Sequence, residues 1–221
     1  SSDLRDGIVT TDAVGFSVAS ATFDMANVSK GTESFTGVSL DVTDASLVGV
    51  AAVDLQVSGE ISLNKTSRTD GEKIDWDSAT STATLPTLMI DQSVELHVVA
   101  GGSLDVGPGN LVATIPTDGL TLDIATADVV TGNTALGGTT TAGTIDDARV
   151  LSFSLTGASL FVGSGAELNA ARDGINDESG EGTLTEDAVG FSTTATFEMA
   201  SVSKGTESFT GVNLAVTNAS L

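Results

Sequence analysis

Apolar and polar residues alternate with a period of two along most of the chain, and one long stretch of this pattern occurs twice. Residues 21–47 return as residues 195–221 with 22 of 27 positions identical. Within residues 38–42 the apolar positions return unchanged, whereas the polar positions between them differ. Because successive side chains of a β-strand point to opposite faces, this pattern predicts a strand with one packed face and one face toward water.

Such a close internal repeat indicates a tandem array. We predict that residues 1–12 end a preceding repeat, residues 13–187 form one full repeat of about 175 residues, and residues 188–221 begin the next. The first residue is not Met and the last lies inside a repeat, which favours an interior segment of a longer protein. The offset is 175 between Phe16 and Phe191 but 174 between Phe23 and Phe197, and we expect loops to absorb this difference.

Local motifs predict how the strands turn and bend. Residues 29–34 combine Gly with small polar residues between two alternating runs, which is typical of a hairpin connection. A second motif places an Ala three positions after an apolar strand residue, and a step of three would turn later side chains to the wrong face of a regular strand. A bulge is therefore expected just before the Ala, at Asp44, Thr126, Gly157 and Asn218.

The predicted fold class is all-β. No stretch has the pattern of a three-turn helix, and the low aromatic content of 4% argues against a bulky globular core. We count about a dozen or more strands per period, with breaks at Ser58–Gly59 and at the glycine pair 101–102. These features favour an elongated, repetitive β architecture of solenoid-like stacked strands. Tandem β-sandwiches are the alternative.

Composition excludes several function classes. The formal net charge of −22, with only eight Lys and Arg residues, is incompatible with nonspecific nucleic-acid binding, which requires clustered cations. The chain has no Cys and therefore no disulfide framework. It also lacks a run of 18 apolar residues, so no membrane span is predicted.

The phrase GASLFVGSGAELN (residues 157–169), the repeated phrase ATFDMANVSKG and the acidic Gly-rich loops resemble the β-strand repeats of giant bacterial surface or secreted proteins. The resemblance extends over essentially the whole chain, although its motifs encode strands and turns and have low specificity. It implies export, an adhesin-like or structural role at the cell surface, and no catalytic residues.

Two acidic loops are candidate calcium sites. Calcium binds six to eight oxygen atoms from carboxylates, amides and carbonyls on loops that can bend. Residues 70–77 and 172–181 each place Asp, Gly and further acidic residues close together, although neither matches a known calcium-loop motif. A solvated acidic turn is the simpler interpretation of both loops. The candidate ligands are Asp70, Glu72, Asp75, Asp77, Asp173, Asn176, Asp177, Glu178 and Glu181.

Other chemistry has weaker support. His97 is the only histidine and is expected on the polar face, opposite Leu96 and Val98, where zinc binding is improbable without a second ligand. Trp76 is expected to anchor its acidic loop by packing, with carbohydrate stacking as the alternative. The pair Asp146–Asp147 near Arg149 is similar to acidic pairs in polysaccharide-cleaving enzymes, but such pairs are common in a chain with 30 acidic residues. We therefore predict no enzymatic activity.

The sequence favours a structural tandem-repeat segment of a large extracellular or cell-surface bacterial protein, acting as a stalk, filament or adhesin spacer that calcium rigidifies. The expected partners are neighbouring repeats of the same chain, with self-association into fibres left open. The alternative is a calcium-dependent adhesive or ligand-binding module. A third hypothesis is a β-groove that carries lipid, which would show as exposed apolar surface on the sheet.

Overall fold

The computed structural model describes residues 14–80, 86–107, 109–131, 143–177 and 188–221, and these residues form long strands with one short helix. The strands are β1 (Gly15–Lys30), β2 (Glu33–Val48), β3 (Val53–Thr66), β4 (Val94–Val106), β5 (Leu111–Thr131), β6 (Gly143–Ser164), β7 (Ala166–Leu168), β8 (Ile175–Asp177), β9 (Val189–Lys204) and β10 (Glu207–Ser220). The helix α1 is Trp76–Thr80.

Eight of the strands form a single antiparallel sheet in the order β1-β2-β3-β4-β5-β6-β9-β10. The short strands β7 and β8 form a separate hairpin. The all-β prediction is confirmed, and the sheet is open because β1 and β10 lie at opposite ends of the order. No helix among the described residues is long and apolar enough to cross a membrane.

The glycines expected to separate strands lie inside them instead. Gly59 is within β3, and Gly101 and Gly102 are within β4. A β-carbon on Gly59 would lie 2.5 Å from the carbonyl oxygen of Val99, and one on Gly102 would lie 2.4 Å from that of Gln56. These glycines let neighbouring backbones approach closely, so the described part of the period has fewer and longer strands than predicted.

The hairpin and three of the four expected bulges are confirmed. The β1–β2 and β9–β10 hairpins turn at Gly31 and Gly205, both with positive φ. Asp44, Gly157 and Asn218 have φ values of 52°, 65° and 55°, and the strand register shifts beside each of them. Thr126 is different, because it does not have positive φ. The residue in the left-handed conformation adds one position to the strand. The apolar side chains before and after the bulge therefore point to the same face of the sheet.

The one-residue change in repeat spacing lies inside a strand, so the expectation that a loop absorbs it is wrong there. β1 has one residue more between Phe16 and Phe23 than β9 has between Phe191 and Phe197. The longer strand β1 pairs with β2 without a shift, whereas β10 shifts against β9 after Thr217. β2 carries the bulged residue Asp44, and the additional residue of β1 compensates for it, so this pair of strands stays in register.

Two small buried clusters lie on the face of the sheet that carries the polar residues. In the first cluster, Trp76, Leu88 and Ile90 pack over Ala26 on β1. In the second, Ala166 at the start of β7 packs on Val112 and Phe161. Trp76 is fully buried, so the prediction that it anchors its loop by packing is confirmed.

Candidate functional site: an apolar face and a polar cleft

The face opposite the two clusters carries continuous rows of apolar side chains across all eight strands. One row, joined by direct cross-strand pairing, contains Phe23, Leu40, Ile61, Val98, Leu122, Phe153, Met199 and Val212. The next row contains Ala21, Val42, Gly59, Ala100, Leu120, Leu155, Phe197 and Leu214. We call the surface formed by these two rows the apolar face. It carries no charged side chain.

The described segments outside the large sheet contribute their buried residues to the two clusters on the opposite face. Side chains on the outer strands are the most exposed, with Phe23 on β1 at 62% and Leu214 on β10 at 64%. A shallow groove of about 240 Å³ runs over β2, β3 and β4 and is lined by Val42, Ile61 and Val98, among others. Contiguous exposed apolar surface of this kind marks a site of association with a partner, a lipid or another sheet.

The opposite face has a polar cleft of about 550 Å³ where the sheet is bulged. Carboxylates from several strands and from the loop after β7 line it, together with His97 and Arg172. These carboxylates belong to Asp41, Asp44, Glu60, Asp118 and, in the loop, Asp173. His97 Nδ1 lies 2.5 Å from an oxygen of Asp123 on the neighbouring strand. His97 therefore lies on the polar face, as predicted, with a cross-strand partner.

Arg172 also lines this cleft. Its guanidinium donates to both carboxylate oxygens of Asp54 at 2.8 and 2.9 Å and to Ser103 Oγ at 3.0 Å. A planar guanidinium matches a carboxylate with two parallel hydrogen bonds. Arg172 thus ties the loop after β7 to strands β3 and β4, and Asp54 lies 118 residues away from it in the sequence.

The first candidate calcium loop already has internal partners for its carboxylates. Arg68 forms hydrogen bonds with Asp70 and an ion pair with Glu72 at 3.1 Å. The hydrogen bond from Arg68 lowers the pKa of Asp70 from its usual 3.8 to about 2. Asp75 caps helix α1, accepting from the Ser78 hydroxyl at 2.8 Å and from the Ser78 N–H at 3.3 Å, whereas Asp77 is exposed in the first turn.

The second candidate loop is described only in part. Asp173 accepts a hydrogen bond of 2.7 Å from the Asn169 amide, and Asn176 is buried within β8. The side-chain oxygen of Asn176 is buried with no hydrogen-bond partner among the described atoms. The backbone of Asp177 pairs in the β7–β8 hairpin. Glu178 and Glu181 lie outside the described residues.

Among the residues that the structure describes, no group of three or more acidic or histidine side chains is arranged to hold a metal. Calcium binding therefore stays a prediction. At the pair Asp146–Asp147, Lys204 Nζ donates hydrogen bonds to the two backbone carbonyl oxygens at 2.7 and 3.1 Å. Arg149 pairs instead with Glu95, donating at 2.9 and 3.2 Å.

Sequence reasoning missed Asn64 and Gly37, which form the floor beneath Trp76. The Asn64 side chain is fully buried, accepts 2.9 Å from the indole N–H, and donates to the carbonyl oxygens of Ile74 and Asp91. A buried polar side chain of this kind sits in a polar run of the sequence and has no distinguishing signal.

Comparison with protein-family models, with characterised proteins and with solved structures gave no match.

Proposed function

We propose that this chain is a structural tandem-repeat segment of a large extracellular or cell-surface protein, in which each period adds six long strands to one continuous antiparallel sheet. One observation carries this proposal. The β9–β10 hairpin repeats β1–β2 in sequence, and β9 pairs with β6 of the preceding copy from Arg149 to Ser164. The second copy therefore continues the sheet of the first.

Equivalent residues at the two ends of the sheet support the same arrangement. Phe23 on the outer strand β1 is 62% exposed, whereas its counterpart Phe197 is partly covered and lies 5.9 Å from the ring of Phe153 on β6. A β-carbon on Gly190 would lie 2.3 Å from the carbonyl oxygen of Val162, but one on the equivalent Gly15 would meet nothing within 4 Å. The outer edge of β1 is therefore open at the position where β9 contacts β6, and a strand equivalent to β6 fits beside it.

Continuous pairing sets the dimensions of the array. Six strands at about 4.8 Å spacing add about 29 Å of sheet per period. An element of this kind lengthens in fixed steps, as a stalk, filament or adhesin spacer must. The net charge of −22 keeps such a long sheet soluble and disfavours its nonspecific association. Its immediate partners are neighbouring repeats of the same chain.

A chain lengthened after Leu221 by a second copy of residues 48–221 tests this proposal. The protein contains no Cys, so single cysteines introduced at Ser39, Asn213 and the added copy of Asn213 can be spin-labelled in pairs. Continuous pairing predicts equal distances of about 29 Å for both adjacent pairs and about twice that for the outer pair, reduced somewhat by sheet twist. An outer pair closer than the adjacent pairs would contradict a continuous sheet.

Lipid carriage is a second candidate function, and the uncharged apolar face favours it. Acyl chains could cover this face as a second sheet would. Protein purified from cells should then release lipid on solvent extraction, and Leu122→Glu, which places a charge in the middle of the face, should reduce the amount recovered. Ser152→Glu on the opposite face is the matched control. Extraction that yields no lipid would rule out carriage and leave the spacer proposal intact.

Calcium rigidification belongs to the proposal and has its own test. A ligand that binds only the folded chain raises its melting temperature by mass action. We expect a higher melting temperature in millimolar calcium than in EDTA, and Asp177→Asn should reduce the shift more than Asp70→Asn, because Asp70 already pairs with Arg68. An unchanged melting temperature would remove calcium from the proposal.

A further inference from the structure

The Trp76 side chain lies on a floor built from three adjacent strands. Ala26 on β1 and Gly37 on β2 are direct cross-strand partners, and Asn64 on β3 is the next residue in the same row. Trp76 and Leu88 lie over Gly37, and Ala26 belongs to the same buried cluster with only 2% of its surface exposed. Phe35 packs against the edge of this cluster.

The absence of a side chain at Gly37 is a requirement of this floor. A β-carbon there would lie 2.8 Å from the Cε2 and Nε1 atoms of Trp76 and 2.8 Å from Leu88 Cδ1. Contacts this short between carbon atoms force the indole or the strand to move. Gly37 does not have positive φ, so turn geometry does not explain the glycine. The close approach of the Trp76 indole explains why this position is glycine.

The second copy of the repeat contains the same floor without a cap. Ala200 and Gly211 are cross-strand partners on β9 and β10, as Ala26 and Gly37 are on β1 and β2. Ala200 and Gly211 are both exposed, and a β-carbon on Gly211 would meet nothing within 4 Å. Phe209, the counterpart of Phe35, is 55% exposed.

A glycine inside a strand weakens it unless another group must approach closely. Gly211 has neither positive φ nor a close neighbour in this structure. The equivalent residue in the first copy shows which group comes close, namely an indole held by an Asn on the next strand. Two independent observations therefore coincide at this surface: an unfilled floor, and the same floor filled within the same molecule.

We infer that Ala200, Phe209 and Gly211 form a docking seat for the tryptophan cap of a following repeat, that is, for second copies of Trp76, Leu88 and Ile90. The strand equivalent to β3 pairs with the open edge of β10 and brings its Asn into the row beside Gly211. The cap then closes over the floor and locks the new strands to the previous copy. This inference rests on the proposed function, since it names the contact that joins successive repeats.

The lengthened chain described above tests the seat by fluorescence. The natural chain has one Trp, so replacing Trp76→Phe in the first copy leaves the added Trp as the only reporter. We expect the added Trp to emit at short wavelength and to resist acrylamide quenching, as a buried indole does. Gly211→Val should shift its emission to longer wavelength and raise its quenching constant several-fold.

Two controls separate the possible outcomes. Gly37→Val in the same chain should leave the added Trp protected, because Gly37 belongs to the other seat. In the chain that ends at Leu221, Gly211→Val should leave both the melting temperature and the Trp76 emission unchanged, which shows that the substitution itself permits folding.

A disulfide then tests strand pairing separately from the seat. Leu40 pairs directly with Ile61, so Leu214→Cys should form a disulfide with Ile61→Cys in the added copy if the sheet continues. A disulfide together with an added Trp that is readily quenched, whichever residue occupies position 211, would overturn the seat alone. Failure to form the disulfide would overturn both the seat and the continuous sheet.

Discussion

Trp76 lies so close to Gly37 that no other residue fits beneath its indole without movement, because a β-carbon at Gly37 would be 2.8 Å from two ring atoms. This contact joins the loop after β3 to the first hairpin of the repeat. The equivalent position Gly211 has the same backbone and an open surface. The pair therefore allows one substitution to be compared at a filled and an unfilled site within one chain.

Gly37→Val should lower the free energy of unfolding by about 1–3 kcal/mol, the usual cost of overpacking a tight site. Gly211→Val should change it by less than about 0.5 kcal/mol, as expected for a surface position without close contacts. Urea denaturation of the two variants beside the parent chain measures both effects. Equal destabilisation at the two positions would contradict the packing of Trp76 on Gly37.

Replacing Asn64 should be more damaging than its position in a polar run of the sequence suggests, because its side chain is fully buried. Asn64→Ala leaves the buried indole N–H without its partner and removes the donor to the carbonyl oxygens of Ile74 and Asp91; an unsatisfied buried group costs about 1–3 kcal/mol. Asn27→Ala is the matched control, since Asn27 makes only an exposed hydrogen bond to Thr36. Denaturation midpoints and Trp fluorescence check this prediction. A midpoint shift no larger for Asn64→Ala than for the control would contradict it.

The junction between copies should depend on Gly190. A β-carbon there would lie 2.3 Å from the Val162 carbonyl oxygen and 2.6 Å from the Gly163 Cα, so Gly190→Ala must separate β9 from β6 or distort both. We expect a loss of about 1–3 kcal/mol in unfolding free energy and faster amide exchange along β9. Gly15→Ala, at the equivalent and uncovered position, should have little effect. Equal exchange rates along β9 in the two variants would argue against this close β6–β9 packing.

The pH dependence of the first acidic loop follows from the low pKa of Asp70. Because the Arg68 hydrogen bond lowers that pKa in the folded chain from 3.8 to about 2, the carboxylate contributes stability above about pH 4. That contribution is lost as the pH falls through about 2. Arg68→Gln should raise the Asp70 pKa toward its usual value, as followed by carboxyl NMR.

Arg149→Gln is the control for this titration. It should leave Asp70 unchanged and instead raise the pKa of Glu95, which a hydrogen bond from Arg149 lowers in the folded chain. An Asp70 pKa that responds equally to both substitutions would point to a general charge effect and away from the specific Arg68 contact.

Local features of the fold could be predicted because neighbouring residues determine them. Alternation identified the strands, the Gly at position 31 marked the hairpin, and the step of three before an Ala located the bulges at Asp44, Gly157 and Asn218. Within residues 38–42 only the polar positions differ between the two copies of the repeat, and this indicated which side chains share a face. Each of these signals lies within a few residues along the chain.

Other features depended on contacts between residues distant in sequence. A glycine in a strand either ends the strand or admits a close neighbour. For Gly59 the close approach of the Val99 carbonyl oxygen on β4 decides between the two, and that contact is not visible in the local sequence. The ion pair between Arg172 and Asp54 joins residues 118 positions apart. The apolar face, predicted to be packed, carries exposed side chains such as Phe23 and Leu214, whereas the buried clusters of the described residues lie on the opposite face.

The central claim is that successive copies extend one sheet, and a single distance in the present chain tests it most directly. Ser39 on β2 and Asn213 on β10 are equivalent residues separated by six inter-strand spacings, or about 29 Å. Spin labels on Ser39→Cys and Asn213→Cys should give one narrow distance distribution near that value. A distribution centred near 10 Å, the spacing of stacked sheets, would contradict the account.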